Sequence, residues 1–379
     1  MMKKILSVFL SCIIFFITSA SAVSNQPALG IDAKSCVLME ASTGQILYDE
    51  NKDERLPIAS VTKIMTMLLI CEALDDGKIQ LEDMVSVSER AMSMGGSTMF
   101  LEAGESLSVG DMLKGIAVAS ANDGCVAMAE FLEGSVENFV EKMNERAKEL
   151  GMENTNFVNT NGLDADNHYS SAQDVAKMSR ELLKHEVIFN YTKIWTDSLR
   201  DGKFELANTN KLVRFYDGAT GLKTGSTSKA LCCVSATAKR EDMHLIAVVL
   251  GAPDSNTRFS SARALLDYGF SAFAIKKYTA KNETVESVKI SKGVEDELPL
   301  YIKDEVSVLC SRGENNEAER KIEFKENLKA PFKEGDIVGQ IVILKDGQEI
   351  GRSDICAAKT VKKKTFFMMF SDILNKLIG

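Results

Sequence analysis

Histidine is scarce in this chain of 379 residues, which has three: His168, His185 and His244. None of them lies in a recognisable Ser-His-Asp setting, so a catalytic serine here would need a base other than histidine. The cysteines show no spacing typical of metal ligands, and we expect no metal and no other cofactor. Basic residues are outnumbered, with 45 Lys and Arg against 54 Asp and Glu, and this acidic balance argues against nucleic acid as a partner.

The cysteines do not indicate a disulfide-built scaffold either. Cys71 falls in an apolar helical segment, and Cys232 and Cys233 are neighbours in a predicted strand. Residues in such places are more often small buried hydrophobes than disulfide partners. Cys310 and Cys356 remain as candidates for a disulfide, and free thiols are the favoured interpretation.

A long apolar run occurs at the N-terminus, from residue 5 to residue 17, after Lys3 and Lys4. The run is followed by Ala-Ser-Ala at residues 20–22, and this order is typical of a signal peptide with its cleavage site. The alternative is an uncleaved anchor, but the run is shorter than the roughly 20 residues that span a bilayer. We therefore predict a signal peptide over residues 1–22 and an exported, extracytoplasmic protein.

The remaining chain is too long for one hydrophobic core and predicts two domains. Residues 23–276 begin with a predicted hairpin at 35–49, and a helix predicted at 64–74 follows that is apolar almost all round and therefore buried. A mostly helical stretch continues at about 80–200. Strands at 230–238 and 245–250 follow. Strands at both ends of a helical middle predict an α/β catalytic domain, in which an antiparallel sheet flanked by helices carries a helical subdomain.

The composition changes after that domain. Residues 277–360 contain short apolar runs and an Asp-Gly pair at 346–347, which predict a small all-β sandwich domain without chemistry of its own. Residues 361–379 start with three lysines and continue with aromatic and aliphatic residues at helical spacing. We predict a C-terminal amphipathic helix that associates with the outer face of the cytoplasmic membrane. The alternative is a helix docked on the β domain.

Three short motifs stand in one order along the chain: Ser-Val-Thr-Lys at 60–63, Ser-Ala-Asn at 120–122 and Lys-Thr-Gly at 223–225. Each is common by itself, and a second Ser-x-x-Lys at 226–229 is interpreted as accidental. Their joint occurrence, each in a suitable local setting, is what indicates a catalytic site.

The first motif can supply a nucleophile and its base. Serine is a poor nucleophile at its ordinary pKa and needs a base. Ser60 and Lys63 share a helix face, and burial together with the positive helix end would lower the pKa of Lys63. The backbone N–H of Ser60 lies in the same first turn and can help to hold an oxyanion. The alternative interpretation is a plain N-cap serine with a solvated lysine.

The other two motifs can hold a substrate. Ser120 offers a second hydroxyl to pass a proton, and Asn122 offers an amide to grip a substrate carbonyl. The Lys-Thr-Gly motif is predicted to open a strand. There Lys223 and Thr224 can bind a carboxylate, and Gly225 would let an extended peptide approach the strand edge. Taken singly, these motifs could equally be an interhelix turn and a tight turn.

The set resembles the penicillin-recognising serine transferases and hydrolases, whose signature is S-x-x-K, S-D-N and K-T-G. More narrowly it resembles the low-molecular-weight penicillin-binding proteins, the serine-type D-Ala-D-Ala carboxypeptidases. Supporting stretches lie at 57–60, 161–163, 168–172 and 217–218. The resemblance covers nearly the whole chain and implies a beta-lactamase/transpeptidase-like domain, followed by the β domain and the amphipathic tail.

The resemblance also implies a mechanism. Ser60 would attack the carbonyl between the two terminal D-alanines of a peptidoglycan stem peptide, and Lys63 would take its proton. The backbone N–H groups of Ser60 and Ser226 would hold the oxyanion. Ser120 would pass a proton to the departing D-alanine, Asn122 would hold the substrate backbone, and the Lys-Thr-Gly motif would bind the terminal carboxylate. Beta-lactams would imitate this substrate and acylate Ser60.

Other functions compatible with the motifs are less favoured. A class A beta-lactamase would carry a Glu-x-x-Leu-Asn sequence, which this chain lacks. A D,D-endopeptidase would use the same residues. A non-catalytic penicillin-binding sensor or scaffold would be indicated by loss of Lys63 or Ser120, and both are present. Ser226 and Leu231 depart from what relatives often carry, which puts rate and substrate preference in doubt rather than the mechanism.

Overall fold

The computed structural model describes residues 27–314 and 317–371 of the chain. Its strands are β1 (Ser35–Glu40), β2 (Ile46–Glu50), β3 (Met84–Ser86), β4 (Ser106–Ser108), β5 (Thr196–Leu199), β6 (Phe204–Ala207), β7 (Ala219–Thr227), β8 (Leu231–Arg240), β9 (Met243–Ala252), β10 (Phe273–Thr279), β11 (Thr284–Lys289), β12 (Glu297–Ile302), β13 (Val306–Ser311), β14 (Glu319–Phe324), β15 (Ile337–Lys345) and β16 (Gln348–Ala357). Its α-helices are α1 (Lys63–Asp75), α2 (Glu89–Met92), α3 (Val109–Lys114), α4 (Asn122–Glu133), α5 (Val136–Glu149), α6 (Ala172–Leu182), α7 (Phe189–Thr192), α8 (Leu212–Phe215) and α9 (Ser255–Ala272).

An antiparallel sheet with the strand order β2-β1-β9-β8-β7 forms the centre of the first part of the chain. Strand β9 is apolar along its length because helices cover both faces of the sheet. Successive side chains point to opposite faces, so Ile246 and Val248 join the core on the α1 and α6 side, while Leu245 and Val249 join the core beneath α9. The predicted α/β domain, in which an antiparallel sheet flanked by helices carries a helical subdomain, is confirmed.

Helix α1 runs through the middle of the helical subdomain. Each residue from Lys63 to Cys71 is buried, because α4, α5 and α6 pack around it. This explains why the sequence is apolar almost all round, and it confirms the helix predicted from residue 64 to residue 74. A buried helix also places its first turn, with Lys63, away from water.

The C-terminal part is all-β, as predicted. One sheet has the strand order β11-β12-β16-β15-β14, and β10 pairs with β13 in a second. Asp346 and Gly347 both have positive φ, the conformation that a two-residue hairpin turn requires, and they join β15 to β16. The predicted division between residues 276 and 277 falls inside β10, because this strand follows α9 directly and already pairs with β13.

The two predicted terminal segments are described only in part. The predicted signal peptide lies outside the described residues. Val361 is buried and bridged to Phe332, so the chain is still part of the β-rich core at the predicted start of the tail. Residues 366–371 are helical, and residues 372–379 lie outside the described residues. No helix in the described part is long and apolar enough to cross a membrane.

The cysteines within the described ranges are all free, and Cys310 and Cys356 are not bonded to each other. The Cys310 thiol instead donates to the carbonyl oxygen of Ala274. Cys71 and Cys233 are fully buried, as expected for cysteines that act as small hydrophobes.

Candidate active site

The nucleophile candidate lies in a 3₁₀ turn, Ala59–Thr62, that leads directly into α1. Ala59 has φ +47°, a left-handed conformation that is costly for a residue with a side chain. The turn aims Ser60 at Lys63, whose Nζ donates to Ser60 Oγ at 2.9 Å. The N–H groups of a first turn have no intrahelical partners, which leaves the amide of Ser60 available.

Lys63 has no access to water and has three oxygen neighbours. Its Nζ contacts Ser60 Oγ, Asn122 Oδ1 at 2.7 Å and the carbonyl oxygen of Asn161 at 2.7 Å. Burial lowers the pKa of Lys63 to about 8 from an ordinary value of 10.5. A lysine with this pKa is partly neutral near pH 7 to 8 and can accept a proton from the serine.

The second motif surrounds the start of α4. Ser120 follows a π-helical turn, Gly115–Ala119, and has φ +65°, another left-handed residue that is not glycine. Its side chain is buried, and its hydroxyl makes no hydrogen bond to any residue that the structure describes. Asn122 is the first residue of α4 and links Lys63 to the carbonyl oxygen of Gly95, to which its Nδ2 donates at 2.7 Å. The structure thus brings Asn122, but not the Ser120 hydroxyl, into hydrogen-bond contact with Lys63.

The third motif lies in the middle of β7, at the edge of the sheet, rather than opening the strand. Lys223 is buried and donates to the carbonyl oxygen of Thr224. Burial, together with the nearby Lys63 and Arg258 charges, holds the pKa of Lys223 well below its ordinary range. Thr224 Oγ1 donates to Thr209 Oγ1 at 2.6 Å.

Packing of the backbone requires a glycine at position 225, a requirement that was not anticipated from the sequence. A Cβ atom at this position would lie 2.8 Å from the Ser60 nitrogen and 2.8 Å from the Ile58 carbonyl oxygen. These are backbone atoms that cannot move aside, so the glycine lets β7 pass directly against the nucleophile turn. This packing role adds to the predicted one, and room for an approaching substrate peptide stays a prediction.

Some site residues were not predicted from the sequence. The carbonyl oxygen of Asn161 contacts Lys63, and a Cβ on Gly162 would lie 1.9 Å from the Ala59 carbonyl oxygen. The Asn-Gly-Leu stretch at 161–163 is indicated only by the family resemblance, since a backbone acceptor has no sequence signal. Thr209, which accepts from Thr224, likewise had no sequence signal, and Asp123 had only its position next to Asn122.

No three His, Cys, Asp or Glu side chains converge as metal ligands within residues 27–314 and 317–371. Because the groups in hydrogen-bond contact with Lys63 are the Ser60 hydroxyl, an amide and a backbone carbonyl, the arrangement suits acyl transfer by a serine nucleophile, with a lysine as the base.

Comparison with known proteins agrees with this site. A family model described as D-alanyl-D-alanine carboxypeptidase matches residues 20–254. The chain belongs to this family. Residues 273–363 match a second family model, described as the C-terminal domain of penicillin-binding protein 5. The resemblance inferred from the three motifs is therefore confirmed.

Curated carboxypeptidases match along almost their full length. The chain is 46% identical over 374 residues to D-alanyl-D-alanine carboxypeptidase DacF of Bacillus subtilis strain 168, covering 96% of each chain. It is 34% identical over 362 residues to DacC of Escherichia coli K12, covering 93% of this chain and 90% of the relative.

Solved structures of the same family share the fold. Penicillin binding protein 5 from Haemophilus influenzae matches with a TM-score of 0.73 and 32% identity, covering 88% of this chain and 98% of that one. Penicillin-binding protein D2 from Listeria monocytogenes, in its ampicillin-bound form, matches with a TM-score of 0.59 and 30% identity, covering 64% of this chain and all of that one.

Proposed function

We propose that this carboxypeptidase removes the terminal D-alanine from peptidoglycan stem pentapeptides through an acyl-enzyme on Ser60. The observation that carries the proposal is the 2.9 Å contact between Lys63 Nζ and Ser60 Oγ, made by a lysine that is fully buried. The names of the similar proteins support the substrate class.

In the proposed acylation, Ser60 Oγ attacks the carbonyl carbon between the two D-alanines while neutral Lys63 takes its proton. The negative charge moves to the carbonyl oxygen, where the backbone N–H groups of Ser60 and Ser226 stabilise it. The C–N bond then breaks as the carbonyl re-forms, and Ser120 passes the proton held by Lys63 to the departing amine of D-alanine, which leaves Lys63 neutral again. The product is an ester on Ser60, which water hydrolyses to restore the hydroxyl.

Asn122, Lys223, Thr224 and Gly225 are the proposed substrate-binding residues. Asn122 would hold the substrate backbone, and Lys223 with Thr224 would receive the terminal carboxylate. The carboxylate would restore the charged form of Lys223, whose pKa burial holds down in the free enzyme. Gly225 contributes by letting β7 lie against the Ser60 turn.

Beta-lactams are the proposed covalent inhibitors, because they imitate the D-Ala-D-Ala end and acylate the same serine. The similar Listeria protein was solved in an ampicillin-bound form, which supports this assignment.

The test combines mass spectrometry after benzylpenicillin with D-alanine release from diacetyl-Lys-D-Ala-D-Ala. We expect a long-lived adduct on Ser60 together with D-alanine release, and neither in Ser60→Ala. An adduct without D-alanine release would favour the endopeptidase or the sensor. Rapid turnover of the drug would favour a beta-lactamase, and no adduct would contradict the site itself.

We also propose an export route and a location for the protein. Residues 1–22 would be a cleaved signal peptide, and residues 23–276, 277–360 and 361–379 would be the catalytic domain, the β domain and the membrane-associating segment. The exposed aromatic side chains at residues 366–370 support peripheral binding to the outer face of the cytoplasmic membrane.

A further inference from the structure

The second residue of α4 is a buried carboxylate that bonds to backbone N–H groups. Asp123 is 1% exposed and forms no ion pair with any residue that the structure describes. Its oxygens accept from the N–H of Met99 at 2.9 and 3.1 Å, from Leu101 at 3.1 Å and from Gly124 at 2.9 Å. A carboxylate held away from water needs such donors, so Asp123 and the segment with Met99 and Leu101 stabilise each other.

That segment belongs to the loop of residues 93–105, which also holds Asn122. The Asn122 N–H donates to the Ser97 carbonyl oxygen at 2.7 Å, and its Nδ2 donates to the Gly95 carbonyl oxygen at 2.7 Å. Because its backbone N–H and its Nδ2 both donate to the loop, Asn122 turns its Oδ1 towards Lys63. The orientation of the Asn122 amide therefore depends on where the loop lies.

The same loop is held from its outer side by Arg200. The guanidinium donates to the carbonyl oxygens of Met99 at 3.0 Å and Phe100 at 3.3 Å, and it is paired with Glu105 at 2.6 Å. Asp123 thus binds the loop's N–H groups from inside, while Arg200 binds its carbonyl groups from outside.

We propose that Asp123 is a positioning residue, which fixes the loop of residues 93–105 on α4 and so aims the Asn122 amide at the catalytic lysine. This inference rests on the proposed function.

Asp123 is also a negative charge near Lys63. The other ionisable neighbours of Lys63 are Cys125 on α4 and Lys223 on β7. Burial lowers the pKa of Lys63, and Cys125 and Asp123 oppose that shift.

The first test is Asp123→Asn, which preserves shape but replaces one acceptor oxygen by a donor. We expect kcat for D-alanine release to fall about 10- to 100-fold, because the amide and lysine lose their alignment, with KM changed less than about threefold. The pH midpoint of acylation by benzylpenicillin should move down by about half a unit or more, because Lys63 loses a negative neighbour. A purely structural role would not move this midpoint.

Glu40→Gln is the matched control. Glu40 is also fully buried, and its carboxylate accepts from the backbone N–H groups of Ser42 and Thr43 in the β1–β2 turn. We expect this variant to lower the melting temperature while leaving kcat and the pH midpoint unchanged. A loss of activity in Glu40→Gln equal to that in Asp123→Asn would overturn the positioning role.

Arg200→Gln is the second variant, which loosens the same loop without removing the buried carboxylate. We expect a lower kcat at an unchanged pH midpoint. A folded Asp123→Asn with wild-type kcat and pH midpoint overturns the proposal. If Asp123→Asn does not fold, Arg200→Gln decides, and a folded Arg200→Gln with wild-type kcat overturns the proposal. All comparisons are ratios to wild type, so an inactive wild-type enzyme would instead contradict the proposed function.

Discussion

Lys63 Nζ contacts one hydroxyl and two oxygens that can only accept. The amide Oδ1 of Asn122 and the carbonyl oxygen of Asn161 have no proton to donate, whereas Ser60 Oγ can both accept and donate. A neutral amine has two hydrogens and one lone pair. It satisfies this environment by donating to the two acceptors and receiving the Ser60 proton on its lone pair, which is the arrangement that a general base requires.

The first prediction at the residue scale concerns the pH dependence of acylation. Burial lowers the pKa of Lys63 to about 8. Below about pH 8 the neutral fraction of Lys63 therefore rises tenfold per pH unit, and above it the fraction levels off. We expect the second-order rate constant for benzylpenicillin to follow this curve in stopped-flow measurements from pH 5.5 to 9. Lys63→Arg, whose guanidinium stays charged, should acylate at least about 100-fold more slowly. A rate constant that is flat with pH would contradict the assignment of Lys63 as the base.

Among the elements, those with a clear apolar pattern could be predicted from the sequence. α1 was expected from residue 64 to 74 and spans Lys63–Asp75, because a helix buried all round has no polar face to interrupt the pattern. β10 was missed, since it follows α9 without a turn residue between them. β16 was implied only by the Asp-Gly hairpin signal and given no bounds, because charged residues and a glycine break its alternation.

The candidate site was predictable to the extent that side-chain types define it. The three motifs identified Ser60, Lys63 and Asn122, which the fold brings into contact. Contacts made by the backbone were not predictable: the Asn161 carbonyl leaves no sign in its own residue type. The space required at Gly225 likewise depends on how two distant segments pack.

A prediction at the element scale concerns His168, which ties the start of α1 to the segment of residues 157–170. Its Nδ1 accepts from the Val158 N–H at 3.0 Å, so Nε2 carries the proton and donates to Thr62 Oγ1 at 2.8 Å. Burial lowers the pKa of His168 to about 4. The unfolded chain takes up a proton below about pH 6.5, whereas the folded chain does so only below about 4.

The free energy of unfolding should therefore fall as the pH drops from about 6.5 to about 4, by up to roughly 3 kcal/mol through His168. Below about pH 4, His168 should change it little, because both states are then protonated. His244 is shifted in the same direction and adds to the effect. We expect urea unfolding of His168→Gln to show a shallower decline between pH 6.5 and 4.5 than unfolding of the wild type. His185→Gln, at a histidine nearer the surface, is the control. Equal slopes for wild type and His168→Gln would contradict the buried neutral state.

On the scale of the whole molecule, the β-rich part continues beyond the predicted start of the tail. Val361 is buried against Phe332, and the N–H of Lys364 donates to the carbonyl oxygen of Lys292. A deletion from residue 361 would therefore remove core contacts and confuse loss of membrane binding with loss of folding. The segment that can be altered without touching this core begins after Thr365.

The last prediction uses that boundary to test the proposed membrane contact. The side chains of Phe366, Phe367 and Phe370 are 72%, 82% and 52% exposed. Contact of this aromatic surface with water is unfavourable, and a lipid interface would remove it. We expect the full-length triple serine variant at these positions to bind anionic vesicles at least about tenfold more weakly, because three aromatic side chains no longer enter the interface. Its release of D-alanine from a soluble peptide should equal that of wild type, since Ser60 and its neighbours are untouched. Phe215→Ser, which removes another exposed aromatic side chain, is the control and should leave vesicle binding unchanged. Retention of the triple variant on vesicles would contradict the membrane role of residues 366–370.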